Sequence, residues 1–195
     1  MKRKAPLTVW LGVGLILCGL CFAMVFQLRL QAGARKREDL ITRIVAYLPE
    51  RTPGMPDMYP DTGMPVLEVD GDDYGAVLEV PAFSVRLPVA DEWQSRNLTC
   101  CPARFSGSAY GGTLVIGGGD YPGQLDFCGK IGHGATVTVT DMTGACFSYT
   151  VVRIDRSSQA ENQWLTKPEW DLTLFCRDNG TMEYIAVRCV RQSLQ

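Results

Sequence analysis

From Ala5 to Leu28 the chain carries no charged residue, and the core of that run, LTVWLGVGLILCGLCFAMVFQL, is long enough to cross a bilayer as a helix. This run divides the molecule. It sets a basic tail over residues 1–6 and an apolar anchor over 7–28 apart from everything that follows. A secretory signal peptide is the competing reading, but the run is long for a signal core, and only AGA at 32–34 resembles a cleavage site. Neither Cys18 nor Cys21 follows the small residue that a lipid-attachment site needs. Lys2, Arg3 and Lys4 argue for a cytoplasmic N-terminus, and Arg29, Arg35, Lys36 and Arg37 argue against it. The expectation is a single-pass protein of the cell membrane, N-terminus inside and the remaining mass outside.

Residues 29–65 read as a juxtamembrane helix followed by a linker. Leu40, Ile41, Ile44, Val45 and Leu48 fall on one helical face. PERTPGMPDMYPDTGMP, over 49–65, holds five prolines and predicts an extended tether that holds a domain off the membrane.

Beyond residue 65 the pattern becomes that of short strands punctuated by Gly, Pro and Asp. AVLEVPA and FSVRLPV alternate around Pro81, and TLVIGGG ends in three glycines. ATVTVTD alternates strictly, CFSYTVVRID follows the turn DMTG, and DLTLFC and EYIAVRCV close the chain. About eight strands at this spacing predict an all-β barrel or sandwich over 66–195.

Charge and cysteine content narrow the chemistry. Residues 40–195 hold 12 basic and 19 acidic side chains, which argues against a nucleic-acid partner. The six cysteines in that part, Cys100, Cys101, Cys128, Cys146, Cys176 and Cys189, match no zinc spacing, and the lone His133 builds no site by itself. EVDGDDYG at 68–75 lacks the spaced ligand set of a calcium loop. No metal is expected.

Several stretches together resemble the sortases, membrane-anchored cysteine transpeptidases of Gram-positive bacteria. They are DYGAVLEVPAFSVRLPV (73–89), RFSGSAYGGTLVIGGGDY (104–121), GATVTVTD (134–141), EWDLTLF (169–175) and IAVRCVR (185–191). The resemblance covers roughly residues 66–192. It implies an eight-stranded sortase-type β-barrel carried on an N-terminal transmembrane helix, with no cofactor. Its chemistry implies a thiolate that attacks the carbonyl of a sorting signal, a histidine that moves protons and an arginine that steadies the oxyanion.

This chain departs from that pattern. Arg188, in AVRC, stands at the arginine position. In LVIGGGDY, Gly119 stands at the histidine position and Asp120 at the asparagine position of an Ala-Gly-His-Asn type motif. The nucleophile motif is Thr-Leu-x-Thr-Cys, whereas this chain reads Thr173-Leu174-Phe175-Cys176-Arg177. Aligned without a gap, Arg177 takes the nucleophile position and Cys176 the threonine before it. Because strand side chains alternate, Thr173, Phe175 and Arg177 share one face, and Leu174 and Cys176 the other. Only a bulge would turn Cys176 into the groove. The candidate catalytic residues are Cys176 and Arg188. Arg177 and Trp164 are the candidate substrate contacts, and Arg177 and Arg188 together are expected to make the groove basic. His133 is a poor replacement base at a turn, and Trp170 a packing residue.

The resemblance thus implies a degenerate, catalytically impaired member that binds a sorting-signal peptide or surface protein, with an active sortase as a further partner. The alternative is a working cysteine transpeptidase or hydrolase that attaches surface proteins through Cys176. In a third reading, Cys176 pairs with another cysteine and the role is structural.

Overall fold

The computed structural model describes residues 7–54, 63–119, 121–178 and 180–192. The basic tail at 1–6 and Asp120 lie outside the described residues. Among the described residues ten strands form in chain order: β1 (Thr52–Pro53), β2 (Leu67–Val69), β3 (Asp72–Val80), β4 (Val85–Ala90), β5 (Ala103–Ser106), β6 (Leu114–Gly117), β7 (Thr136–Asp141), β8 (Ala145–Ser157), β9 (Leu172–Arg177) and β10 (Tyr184–Arg191).

Eight of them close a barrel. The order runs β8-β10-β9-β6-β5-β4-β3, and β7 joins β3 to β8 and completes the circle. Most neighbours are antiparallel, while β4–β5 and β6–β9 are parallel. Closure leaves no free edge within the barrel. β2 extends β3, and β1 lies parallel to β8 outside the closed ring.

The period-2 alternation decides what fills the lumen. Ala76, Leu78 and Val80 of β3, Leu87 and Val89 of β4, and Leu114 and Ile116 of β6 point inward. So do Leu172, Leu174 and Cys176 of β9 and Ile185, Val187 and Cys189 of β10. The residues between them face outward and pack under covering segments. Val115, Phe175 and Ala186 lie beneath Leu165 of the β8–β9 connection. Tyr74, Val77 and Ala90 lie beneath a long helix.

That helix, α1 (Leu7–Tyr47), is continuous across the boundary expected at residue 28. Its N-terminal part is long and apolar enough to cross a membrane, with mean hydropathy 2.3 over the most apolar window and none of that window buried. Its C-terminal part is docked on the barrel. Leu40 and Ile44 are fully buried against Val69, Tyr74, Val77, Cys100 and Cys101. Burying two such side chains contributes roughly 1.5–3 kcal/mol each. Arg43 holds Asp70 through both guanidinium nitrogens, at 2.8 and 2.9 Å. Arg37 donates to the carbonyl of Cys100.

The stretch expected to be a free tether is attached wherever it is described. Thr52 and Gly54 donate backbone hydrogen bonds to Gly144 and Cys146. Met64 is buried in the lumen cluster. Local composition favours an extended chain, and pairing with the β8 edge and one buried apolar side chain tie it down.

Candidate active site

Three strand ends converge on one side of the barrel. β6 ends at Gly117 and runs on into Gly118 and Gly119. β9 lies parallel beside it, with Phe175 opposite Gly117, and ends at Arg177. β10 begins at Tyr184, paired with Arg177. Between these ends lies a groove of about 790 Å³. Its walls include Trp93, Leu98, Tyr121, Pro122, Phe175 and Tyr184, with Gly118, Gly119 and Arg177 along its length. Phe26 and Leu30 of α1 also line it, so the anchor helix forms part of the groove.

Aromatic packing shapes the floor. Trp93 stacks on Phe175 with centroids 5.4 Å apart, and Phe105 meets both rings edge-on. Gly117 has no room for a side chain, because a Cβ there would overlap the rings of Phe175 and Trp93.

Gly119 lies in the groove but is closed to a larger residue. A Cβ at this position would sit 2.7 Å from the carbonyl oxygen of Leu98 and 2.8 Å from the Tyr121 ring. The fully buried Gln124 braces this arrangement. Its side-chain oxygen accepts from the Gly119 N–H at 3.1 Å, and its amide donates to the Leu98 carbonyl at 2.9 Å.

Arg177 is the one cation among the described residues lining the groove. Its guanidinium lies 5.9 Å over the Tyr184 ring, and its Nε is buried without a hydrogen-bond partner. No acidic side chain among the described residues pairs with it. A cation held this way on an apolar wall suits a carboxylate or peptide carbonyls.

Cys176 points to the opposite face. It is 5% exposed, lies in the barrel lumen, and its Sγ donates to the Leu125 carbonyl at 3.3 Å. β9 pairs with β6 up to Phe175 and with β10 in unbroken register through Cys176 and Arg177, so no bulge re-aims the thiol.

Arg188 shares the outer face with Thr173 and Arg177 but does not line the groove. It is fully buried. Its Nε donates to Asp155 at 3.2 Å, and its terminal nitrogens donate to Thr173 Oγ1 and to the carbonyls of Leu165 and Trp164. Its guanidinium lies 5.1 Å over the Trp164 ring. Burial draws its pKa down, and the hydrogen bond to Asp155 opposes that shift. Trp164 therefore covers Arg188 and does not line the groove. The groove entrance at Tyr184 is roughly 13 Å from Arg188 along β10, at ~3.4 Å per residue. The expectation that both arginines make the groove basic is thus corrected, because Asp155 and three backbone or hydroxyl acceptors already occupy Arg188. His133 is exposed at the start of the β7 segment, its Nδ1 2.9 Å from the Val152 carbonyl, and does not line the groove.

The sequence reading missed Trp93, Tyr121 and Tyr184 as groove walls. Tyr184 had a usable signal, since it opens the strand that carries Arg188 and pairs with Arg177. The contribution of α1 had none.

No family model matches the chain, and no curated protein matches it. Solved structures do. Sortase A from Corynebacterium diphtheriae superposes with a TM-score of 0.56 at 18% identity, over 87% of this chain and 85% of that one. A sortase D5 transpeptidase from Clostridium perfringens gives 0.53 at 18% identity, over 62% and 80%. Sortase C1 from Streptococcus suis gives 0.53 at 19% identity, over 63% and 74%. The chain has the sortase fold. The eight-stranded barrel and the N-terminal apolar helix expected from the sequence are both present. Within this fold, the ends of β6 and β9 bring Gly119 and Arg177 into one groove, while Cys176 and Arg188 are held elsewhere.

Proposed function

We propose that this is a membrane-anchored sortase-fold protein that does not catalyse transpeptidation and uses its groove to bind a sorting-signal peptide or the surface protein that carries one. One observation carries this reading. Gly119 and Arg177, which the sequence resemblance puts at the histidine and cysteine positions, line one groove, and the neighbouring Cys176 thiol faces the lumen. General acid–base help contributes typically ~10²–10⁴-fold to such reactions, and a glycine supplies none.

The groove remains suited to binding. Trp93, Phe175 and Tyr184 offer large, rigid apolar surfaces, and Arg177, with no acidic partner among the described residues, offers a charge-assisted donor. In this reading Arg177 holds a carboxylate or successive peptide carbonyls, and the aromatic floor takes the apolar residues of the signal. The barrel stands outside the cell with the N-terminus in the cytoplasm, where it meets exported proteins. An active sortase is the second partner, receiving what this groove captures.

The test is binding of sorting-signal peptides to the full chain in detergent or nanodiscs, compared with Arg177→Glu. Charge reversal should weaken binding at least tenfold, about 1.4 kcal/mol. Equal affinity of both proteins would remove the groove from the account.

A further inference from the structure

The lumen face of β9 carries a second feature that the groove does not use. Cys128 sits in the 3-10 turn Asp126–Gly129, which packs on β9 and β10 and follows the groove-lining Gly118, Gly119, Tyr121 and Pro122 in the chain. Its backbone N–H donates to the Leu125 carbonyl at 2.9 Å. The Cys176 thiol donates to that same carbonyl at 3.3 Å. One acceptor therefore gathers both residues where the 3-10 turn packs against the lumen face of β9. Both are buried among apolar side chains.

From this juxtaposition we infer that Cys128 and Cys176 are a disulfide pair. The bond would close the chain between residues 128 and 176 and fasten the turn below the groove wall to β9. Formation breaks two S–H bonds and makes one S–S bond. The oxidant is a protein or low-molecular-weight disulfide. Cys128 or Cys176 attacks it to form a mixed disulfide, and the second cysteine displaces the remaining half. The oxidant departs as two thiols, carrying off both protons and both electrons. Burial holds the Cys128 thiol well above its ordinary pKa, so attack belongs to the open chain or to a transient opening of the turn.

The other cysteines compete poorly. Cys100 and Cys101 have sulfurs 3.7 Å apart. However, adjacent residues hold their Cα atoms ~3.8 Å apart, short of the ~4.4–6.8 Å of ordinary disulfides. Cys146 lies on β8, paired across to Thr140 and Pro53. Cys189 shares the lumen and is the real rival.

Trypsin separates Cys128, Cys146, Cys176 and Cys189 from one another. Cleavage after Arg and Lys, except before Pro168, puts Cys128 in 105–130, Cys146 in 131–153, Cys176 in 157–177 and Cys189 in 189–191. The full chain in detergent is equilibrated with excess oxidised glutathione, alkylated, and mapped without reduction. The expected product is 105–130 joined to 157–177. Alkylated Cys128 and Cys176, a glutathione adduct on either, or 157–177 joined to 189–191 would overturn the assignment. A second readout does not depend on mapping. Reductant should lower the melting midpoint of the oxidised protein by roughly 10 °C, and should leave Cys128→Ser unmoved. An equal reductant effect on both proteins also contradicts the pairing. Peptide binding plays no part in either readout, so this inference and the proposed function fail separately.

Discussion

Gly119 lies against the main chain of Leu98, so that a Cβ at position 119 would stand 2.7 Å from the Leu98 carbonyl oxygen. The position to which the sequence resemblance assigns a proton-transferring histidine is thus not merely without one. Backbone occupies the space, and Gln124 holds it there. Tyr121 can swing aside, but the carbonyl cannot without moving the 95–98 turn. Gly119→His should therefore cost ~1–3 kcal/mol by overpacking. The double variant Gly119→His, Arg177→Cys should still fail to cleave a sorting-signal peptide. Urea unfolding and a fluorogenic peptide assay check the two outcomes.

Arg188 is a fully buried cation whose partners are Asp155, the Thr173 hydroxyl and two carbonyls of the β8–β9 connection. Removing one member of a buried pair leaves the rest unsatisfied. Arg188→Ala should destabilise the fold by about 3–5 kcal/mol. Arg188→Lys should recover only part of this, because an ammonium cannot span acceptors arranged around a planar fork. Denaturant midpoints of the two variants decide it. A loss of peptide binding at unchanged stability would instead put Arg188 in the groove.

The lumen thiols give the reduced protein an alkaline weakness. Burial pushes Cys189 up to about 12, and burial together with the contact to Cys176 raises Cys128 well above its ordinary value near 9. A raised pKa means stability is fully present below the unfolded value and is lost as pH rises past it, because the unfolded thiol ionises while the folded one does not. Each such group removes up to about 1.4 kcal/mol per pH unit above ~9. Tyr74 and Tyr149, raised chiefly by burial, add to the fall above pH 10. Cys100 runs the other way, pulled down to about 7 first by its hydrogen bond to Cys101. Its thiolate contributes stability that grows between pH 7 and 9. Cys101 is raised by that same bond and offsets it. Unfolding midpoints at pH 8–11 in reductant should fall steeply past 9, and Cys128→Ala or Cys189→Ala should flatten the curve.

Phe26 and Leu30 line the groove from α1, while Leu40 and Ile44 of the same helix are core residues. A chain cut at residue 40 should fold, keeping Leu40 and Ile44, but present a groove open on one side. Its peptide affinity should be weaker than that of the full chain by threefold or more. Calorimetry on the two forms measures this, and equal affinities would detach α1 from the site.

Much of this architecture was readable where it depended on local periodicity. The alternation in TLFCR separates Cys176 from Arg177, and the two side chains do lie on opposite sides of the barrel wall. The spacing of Leu40 and Ile44 marked the helical face that packs on the barrel. What depended on distant neighbours was not readable. Nothing near Arg188 in sequence announces its partners, since Asp155 arrives on the neighbouring strand β8 and Leu165 and Trp164 on the segment that crosses from β8 to β9. Nothing near Gly119 announces Leu98. The docking of residues 52–54 was also hidden, because a proline-rich composition describes the chain's stiffness and not the strand edge it meets.

The most direct measurement incubates the full chain with a set of sorting-signal peptides and follows binding and cleavage in the same samples, beside Cys176→Ala and Arg177→Glu. The expected result is binding without cleavage, with affinity unaltered in Cys176→Ala and at least tenfold weaker in Arg177→Glu. Cleavage that disappears in Cys176→Ala would contradict the account, because it would require the lumen-facing thiol to reach a carbonyl in the groove.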